Sequence, residues 1–273
     1  TRRAARELRS AFVDVLKAEA AFLPQIVPLG EFDDDAAFFA LGGASDLLRI
    51  TPAVNALERP VILGSWVAKW AQALSPAARA LVGEELETPV SIADAFWMAR
   101  DLSTLLDQMQ TEEISFADLD KAADVDISDW WKLTHAFLSV IRDHWPNVLE
   151  ALNRIDPATR RNLMLEAERL RIEAGKPDDP FIVIGSTGTI PATSRLITTI
   201  AERPSGAVVL PGYEADMDAR VRAALEEEND LASAIGHPQY GMHKLVRGIG
   251  ANARGLITEL RSEQTDDVEA RKR

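Results

Sequence analysis

The sequence predicts an α/β chain in which a parallel sheet is interrupted by a large all-helical insertion, and three observations carry this. Phe181-Ile-Val-Ile184 is a continuous apolar run, followed by Gly185-Ser-Thr-Gly-Thr189, a helical pattern from Pro191 and a second apolar run, Ala207-Val-Val-Leu210. Strand, helix, strand in that order is a βαβ unit, whose two strands run parallel. Between Thr51 and Gly175 no segment alternates with period two, and helix start signals recur instead. All six tryptophans fall between Trp66 and Trp145, so that section is expected to own a core distinct from that of its flanks. The expected layout is sheet core over 1–45, helical insertion over 46–178, a return to the sheet core over 179–260 and a tail over 261–273.

Each element has a local reason. Residues 4–19 place Ala5, Leu8, Phe12, Val15 and Leu16 on one helical face, with Arg2, Arg3, Arg6, Arg9 and Lys17 elsewhere. Ile26 to Leu29, closed by Gly30, is expected to be a short strand, with Asp33-Asp34-Asp35 as the following turn. Thr51-Pro52, Ser75-Pro76 and Asp156-Pro157 each put a capping side chain before a first-turn proline, whose missing N–H is no loss there. Ser91 with Asp94 and Ser115 with Asp118 fit an acidic capping box.

Apolar stripes follow these starts. They are Leu63, Val67, Trp70 and Leu74; Ile92, Phe96, Ala99, Leu102, Leu106 and Met109; and Trp130, Thr134, Phe137, Ile141 and Trp145. The run Phe181 to Ile184 is bounded by turn residues and is expected to be a strand covered on both faces. Two helices close the chain: Asp216 to Glu228, with Met217, Val221, Ala224 and Leu225 inward, and Met242 to Ile249.

Composition excludes several classes of function. With no cysteine, the chain holds no disulfide, thiolate metal site, iron–sulfur cluster or cysteine nucleophile. A net charge of −13 opposes nonspecific binding to nucleic acid, which needs clustered cations to release counterions. No apolar run approaches the ~18 residues of a membrane span, and no signal-peptide pattern opens the sequence, so the cytoplasm is expected. The chain starts at Thr1, already inside a helical pattern, and reads as an excised fragment, expected to be monomeric alone.

The loop Gly185, Ser186, Thr187, Gly188, Thr189 joins a strand to a helix start, where backbone N–H groups and the helix dipole attract phosphate. However, a P-loop needs G-x-x-x-x-G-K-[ST], and no lysine occurs between Lys176 and Lys244. G-x-G-x-x-G is also missing, so the loop reads first as a tight turn built from glycines and hydroxyl caps. A metal at Asp33 to Asp35 is not expected, because no second acidic cluster completes a site. His135 and His144 are nine apart and cannot form the i, i+4 pair of a zinc protease, and G-x-S-x-G is absent. No cofactor and no catalytic residue is nominated. Arg2, Arg3, Arg6 and Arg9 form the one basic concentration, read either as a phosphate contact or as an ordinary charged face.

Five segments, in order, resemble one family. They are Thr1-Arg-Arg-Ala-Ala-Arg-Glu-Leu8, Phe22-Leu-Pro-Gln-Ile-Val-Pro-Leu-Gly30, Gly185-Ser-Thr-Gly-Thr-Ile-Pro-Ala-Thr193, Val208-Val-Leu-Pro-Gly212 and His237-Pro-Gln-Tyr-Gly241. Together they resemble AddB of the alphaproteobacterial type, a subunit of the AddAB helicase–nuclease that resects double-strand DNA breaks for recombinational repair. The resemblance implies a RecA-like, superfamily 1 helicase core with the helical section inserted in it. It further implies an AddA-like partner subunit and DNA in the full complex, with the nuclease and its cluster outside this chain.

By the same resemblance, Thr1, Arg2, Arg3 and Arg6 become candidate DNA contacts. Phe181 to Gly188 takes the place of a core strand and its loop, which in active helicases couples nucleotide to DNA, so Gly185 to Thr189 becomes a candidate loop for phosphate, DNA or partner contact, and His237, Pro238, Gln239 and Tyr240 form a motif of unknown role. No acidic pair on an apolar strand precedes Phe181, since Ala167 to Glu173 is helical in pattern. The family reading is therefore a helicase fold that has lost ATP hydrolysis, serving architecture, DNA passage and partner contact. The alternative is a free-standing enzyme that binds a nucleotide or phosphorylated small molecule at Gly185 to Thr189.

Overall fold

A computed structural model of the chain describes residues 2–17, 22–29, 49–73, 91–122, 129–214, 217–226, 232–250, 257–258 and 260. These residues are mainly helical, with a two-stranded parallel sheet. The chain divides into two compact units, Thr1–Arg171 with Ile190–Ala192, and Ile172–Thr189 with Thr193–Arg273. The expected turn at Asp33 to Asp35, the start at Ser75-Pro76, Leu74, the tail over 261–273 and Thr1 lie outside the described residues.

In the first unit, α1 spans Arg2–Leu16 and ends where Lys17 takes a left-handed φ of 48°. Of its predicted stripe Ala5 is buried, but Phe12, Val15 and Leu16 are exposed, so the far end of the stripe is uncovered. The strand expected at Ile26 to Leu29 does not form. Pro24 precedes it and Pro28 lies within it, neither able to donate to a ladder, and the Ile26 carbonyl accepts a hydrogen bond from Arg9 Nη2 at 3.0 Å instead.

Helix α2, Glu58–Ala73, starts later than Thr51-Pro52 suggested. Ala53 first makes a parallel bridge to Ile155, with Val54 N donating to Ile155 O at 2.8 Å and Ile155 N to Pro52 O at 3.1 Å. Asn55 Oδ1 then accepts from Leu57 N at 2.8 Å, and the helix follows. Helix α3, Ile92–Thr111, opens on the predicted capping box, in which the Ser91 hydroxyl accepts from Asp94 N and the Asp94 carboxylate accepts from Ser91 N. Helix α4, Phe116–Ala122, starts the same way at Ser115 and Asp118. Helices α5, Asp129–Leu152, and α6, Pro157–Ala174, complete the series.

Helices α2 and α3 cross closely because Gly64 has no Cβ; one placed there would lie 3.4 Å from Ala95 O and 3.5 Å from Phe96 Cα. Their shared core joins Leu63, Val67, Ala99, Leu102 and Leu106 to Leu138, Ile141 and Trp145 of α5. Trp66 meets Trp145 edge to face at 6.1 Å, and Trp70 packs on Phe137 at 4.9 Å. Ile92, assigned to the stripe by its spacing, is exposed in the first turn of α3.

One polar network lies inside this unit. Asp156, the residue before α6, accepts from Gln110 Nε2 at 2.6 Å and from Trp145 Nε1 at 3.0 Å, and its Oδ1 lies 3.0 Å from Arg59 Nε. Arg59 Nη1 also reaches Asp107 Oδ1 at 2.7 Å. The Arg59 and Asp156 side chains are each 4% exposed, so α2, α3, α5 and α6 meet at one buried carboxylate.

In the second unit, β1, Phe181–Ile184, pairs in parallel with β2, Gly206–Val209, in the register Phe181 to Gly206 and Ile184 to Val209. Helix α7, Pro191–Ala201, connects them, which gives the predicted βαβ order. Gly206 is needed because Ile200 O lies 1.7 Å from where a Cβ would stand. Arg203, in the turn, donates to the carbonyls of Ile172 and Lys176, both within this unit, and lies over the Phe181 ring.

The expectation of a strand covered on both faces is overturned: Val183 is buried, but Ile182 is 62% and Ile184 51% exposed. A continuous apolar run shows no periodicity that could report a missing layer. Helices α8, Ala219–Glu226, α9, Ala232–Ile235, and α10, Tyr240–Gly248, follow. Of the residues expected to point inward, Met217 and Leu225 are buried, but Val221 and Ala224 of the short α8 are exposed.

Asp156→Ala should destabilise the first unit by about 3 kcal/mol, because Arg59 stays buried without one of its two carboxylates. Urea unfolding followed by tryptophan fluorescence measures this, and a loss below about 1 kcal/mol, the scale of a single ordinary hydrogen bond, refutes it.

Candidate functional site at the carboxyl end of the strands

Ligands of open α/β sheets bind beyond the carboxyl ends of the strands, so the segments leaving β1 and β2 define the candidate site. Gly185 N continues the ladder by donating to Val209 O at 2.9 Å, after which Gly185 and Gly188 take φ values of +75° and +63°. Both lie in the left-handed region that other residues enter at a cost. Between them Ser186 folds back, its Oγ accepting from Gly188 N at 3.3 Å. Pro191 is the first residue of α7, where its lack of an N–H costs nothing.

After β2 the chain turns through Pro211 and Gly212, the latter at φ +66°. The His237-Pro238-Gln239-Tyr240 motif closes on this turn. Gln239 Nε2 donates to Gly212 O at 2.8 Å, and Gln239 Oε1 accepts from Glu214 N at 3.3 Å. His237 shapes the turn before α10, its Nδ1 accepting from Gln239 N at 3.2 Å and its carbonyl from Tyr240 N at 2.9 Å. The Tyr213 and His243 rings pack at 5.0 Å, with His243 buried on the inner face of α10. On the outer face, Lys244 lies over the Tyr240 ring at 5.7 Å.

The third contact joins α10 to the loop. A Cβ on Gly188 would stand 2.8 Å from Leu245 Cδ2, and one on Gly241 would stand 2.4 Å from Thr189 Cγ2. The apolar tip of Leu245 therefore rests directly on the loop, Gly188 is buried beneath it, and Gly185 has open space around its Cα. Segments 185–189, 211–214 and 237–245 thus converge within one unit.

The remaining candidates lie elsewhere in the chain. Arg3 and Arg6 are exposed on α1 in the first unit, and the Arg2 side chain is outside the described residues. Among the described residues no group of three His, Asp or Glu side chains is gathered as metal ligands would be.

Sequence reasoning singled out the loop and the His237 motif but missed Tyr213, His243 and Leu245. Leu245 looked like any residue of an apolar stripe. The available signal was Gly241: a glycine inside a helical pattern often marks a close approach of backbone.

Gly185→Ala should cost about 1 to 2 kcal/mol, the cost of a left-handed φ alone. Gly188→Ala should cost about 1 to 3 kcal/mol more, because Leu245 is 1% exposed and its methyls have nowhere to move. Adding Leu245→Ala to Gly188→Ala should recover part of that excess, read as a coupling in a double-mutant cycle of unfolding free energies. Additive costs would show that the two residues do not share the space. No protein-family model, curated protein or solved structure matches the chain.

Proposed function

We propose that this chain is the non-hydrolysing, helicase-like part of an AddB-type subunit of a helicase–nuclease that processes double-strand DNA breaks. The observation that carries the reading is the meeting of segments 185–189, 211–214 and 237–241, which are distant in sequence, at the carboxyl end of a parallel strand pair. Three of the five segments of the family resemblance belong to that one place. In this reading β1, α7 and β2 are part of a RecA-like sheet, and the Trp-rich helices are the insertion that interrupts it. The subunit would work in the cytoplasm beside an AddA-type partner.

The chemistry of the edge supports structural service rather than turnover. Nucleotide hydrolysis by such a fold requires a lysine on the phosphates and carboxylates for Mg²⁺. Here the loop has no lysine, and it meets the methyl groups of Leu245. The Gly-Ser-Thr-Gly loop is then the retained frame of a nucleotide site, held for shape and for contact within the complex. Arg3 and Arg6 on α1 are the proposed DNA contacts, with Thr1 and Arg2 beside them in sequence.

Two measurements test this. The protein should co-elute with an AddA-type subunit in size-exclusion chromatography, and alone it should hydrolyse no ATP above background. ATP turnover that disappears in a Ser186→Ala, Thr187→Ala double variant would establish the competing reading, a nucleotide-binding enzyme, and end this one. Replacing Arg3 and Arg6 by alanine should weaken DNA binding by the assembled complex and flatten its salt dependence by about two phosphate contacts.

A further inference from the structure

We propose that α10 is a releasable cover over the Gly185–Thr189 loop, and that the Gln239 side chain is the latch that keeps it closed. The cover is a direct contact: Leu245 rests on Gly188, and Gly241 rests on Thr189. The latch sits at the head of the cover. Gln239 immediately precedes α10, and its carbonyl accepts from His243 N at 2.9 Å, so it belongs to the first turn of that helix. Its side chain does not cap the helix. It reaches across to the turn after β2, one bond to Gly212 O and one from Glu214 N.

Those two bonds differ in kind from the ones that hold the first unit together. Both lie in exposed surroundings and neither involves a charged side chain. Each such bond is worth about the net value of an ordinary hydrogen bond, because water replaces it when it opens. Behind the latch, Met242, Leu245 and Val246 are buried, which keeps α10 seated when the latch is closed. Gly241 lies between the latch and this apolar seat, against Thr189. Opening the latch therefore frees first the turn of α10 that touches the loop. Seat and catch hold the same helix together, so losing the catch lowers the cost of lifting Leu245 from Gly188 by the worth of its two bonds, and the cover opens locally without unfolding the sheet. Gln239 is a positioning residue here; it acts on the loop through α10.

Hydrogen–deuterium exchange with mass spectrometry on the whole chain tests this with Gln239→Ala, with Gln239→Met, which keeps the bulk of the side chain but loses both bonds, and with Lys244→Ala as a control on the outer face. In both Gln239 variants the amide of Gly188, which is bonded to Ser186 Oγ and buried beneath Leu245, should exchange about tenfold faster than in the unaltered chain, since two ordinary bonds are lost. Val183 in β1 should keep its rate, and the control should match the unaltered chain. Two results overturn the proposal: acceleration confined to residues 212–214 with the loop changed by less than about twofold, or equal acceleration throughout β1, α7 and the loop, which marks general loss of stability. Either result removes the latch and leaves the family reading untouched, because that reading rests on where the segments meet and on the absence of ATP turnover.

Discussion

The first unit depends on one interaction, the hold of Arg59, Gln110 and Trp145 on the carboxylate of Asp156. A charged pair taken out of water is costly unless its remaining donors and acceptors are met; here the indole and amide N–H groups meet those of the Asp156 carboxylate, while Arg59 Nη2 stays buried without a hydrogen bond. Gly64 sets where α2 and α3 cross, and a carboxylate reached from three helices adds a polar register to that apolar alignment. The bridge between Ala53 and Ile155 then brings the chain before α2 beside the chain before α6, so the entry to the unit and the entry to its last helix are tied together.

The second unit is held in the opposite way, by closeness. Gly188, Gly206 and Gly241 each stand where a side chain would strike a neighbour: Leu245, the Ile200 carbonyl and Thr189 respectively. Small residues let α10, the loop and the turn after α7 approach within van der Waals contact, and Gln239 adds direction to that contact.

Much of this was legible in the sequence. Capping boxes at Ser91 and Ser115 and the first-turn proline at Pro157 read correctly because they are local: side chain and helix start lie within three residues. The βαβ unit was legible because its strands are separated by one helix and two turns. Some failures required knowledge of distant partners, whereas one had a local cause already present in the sequence. Ile26 to Leu29 has the composition of a strand but the prolines of a loop; Ile182 and Ile184 look buried by type; Asp156 looked like a helix cap and serves as a hub. At the site, the loop and the His237 motif announced themselves through unusual residues. Leu245 did not, because a leucine that covers a loop and a leucine that fills a core have the same spacing.

The open side of β1 also bears on how the polypeptide behaves while it is being made. Phe181-Ile-Val-Ile184 is a short, uncharged, β-prone tetrad with two isoleucines facing water, the composition that recruits other chains into intermolecular sheets. The residues just before it are Lys176-Pro-Asp-Asp-Pro180, all exposed. Two prolines that cannot extend a ladder and three charges that repel or solvate a neighbour stand immediately against that strand, as gatekeepers do in other aggregation-prone segments. The linker that leads out of α6 thus carries the residue types that discourage a neighbouring chain from pairing with β1.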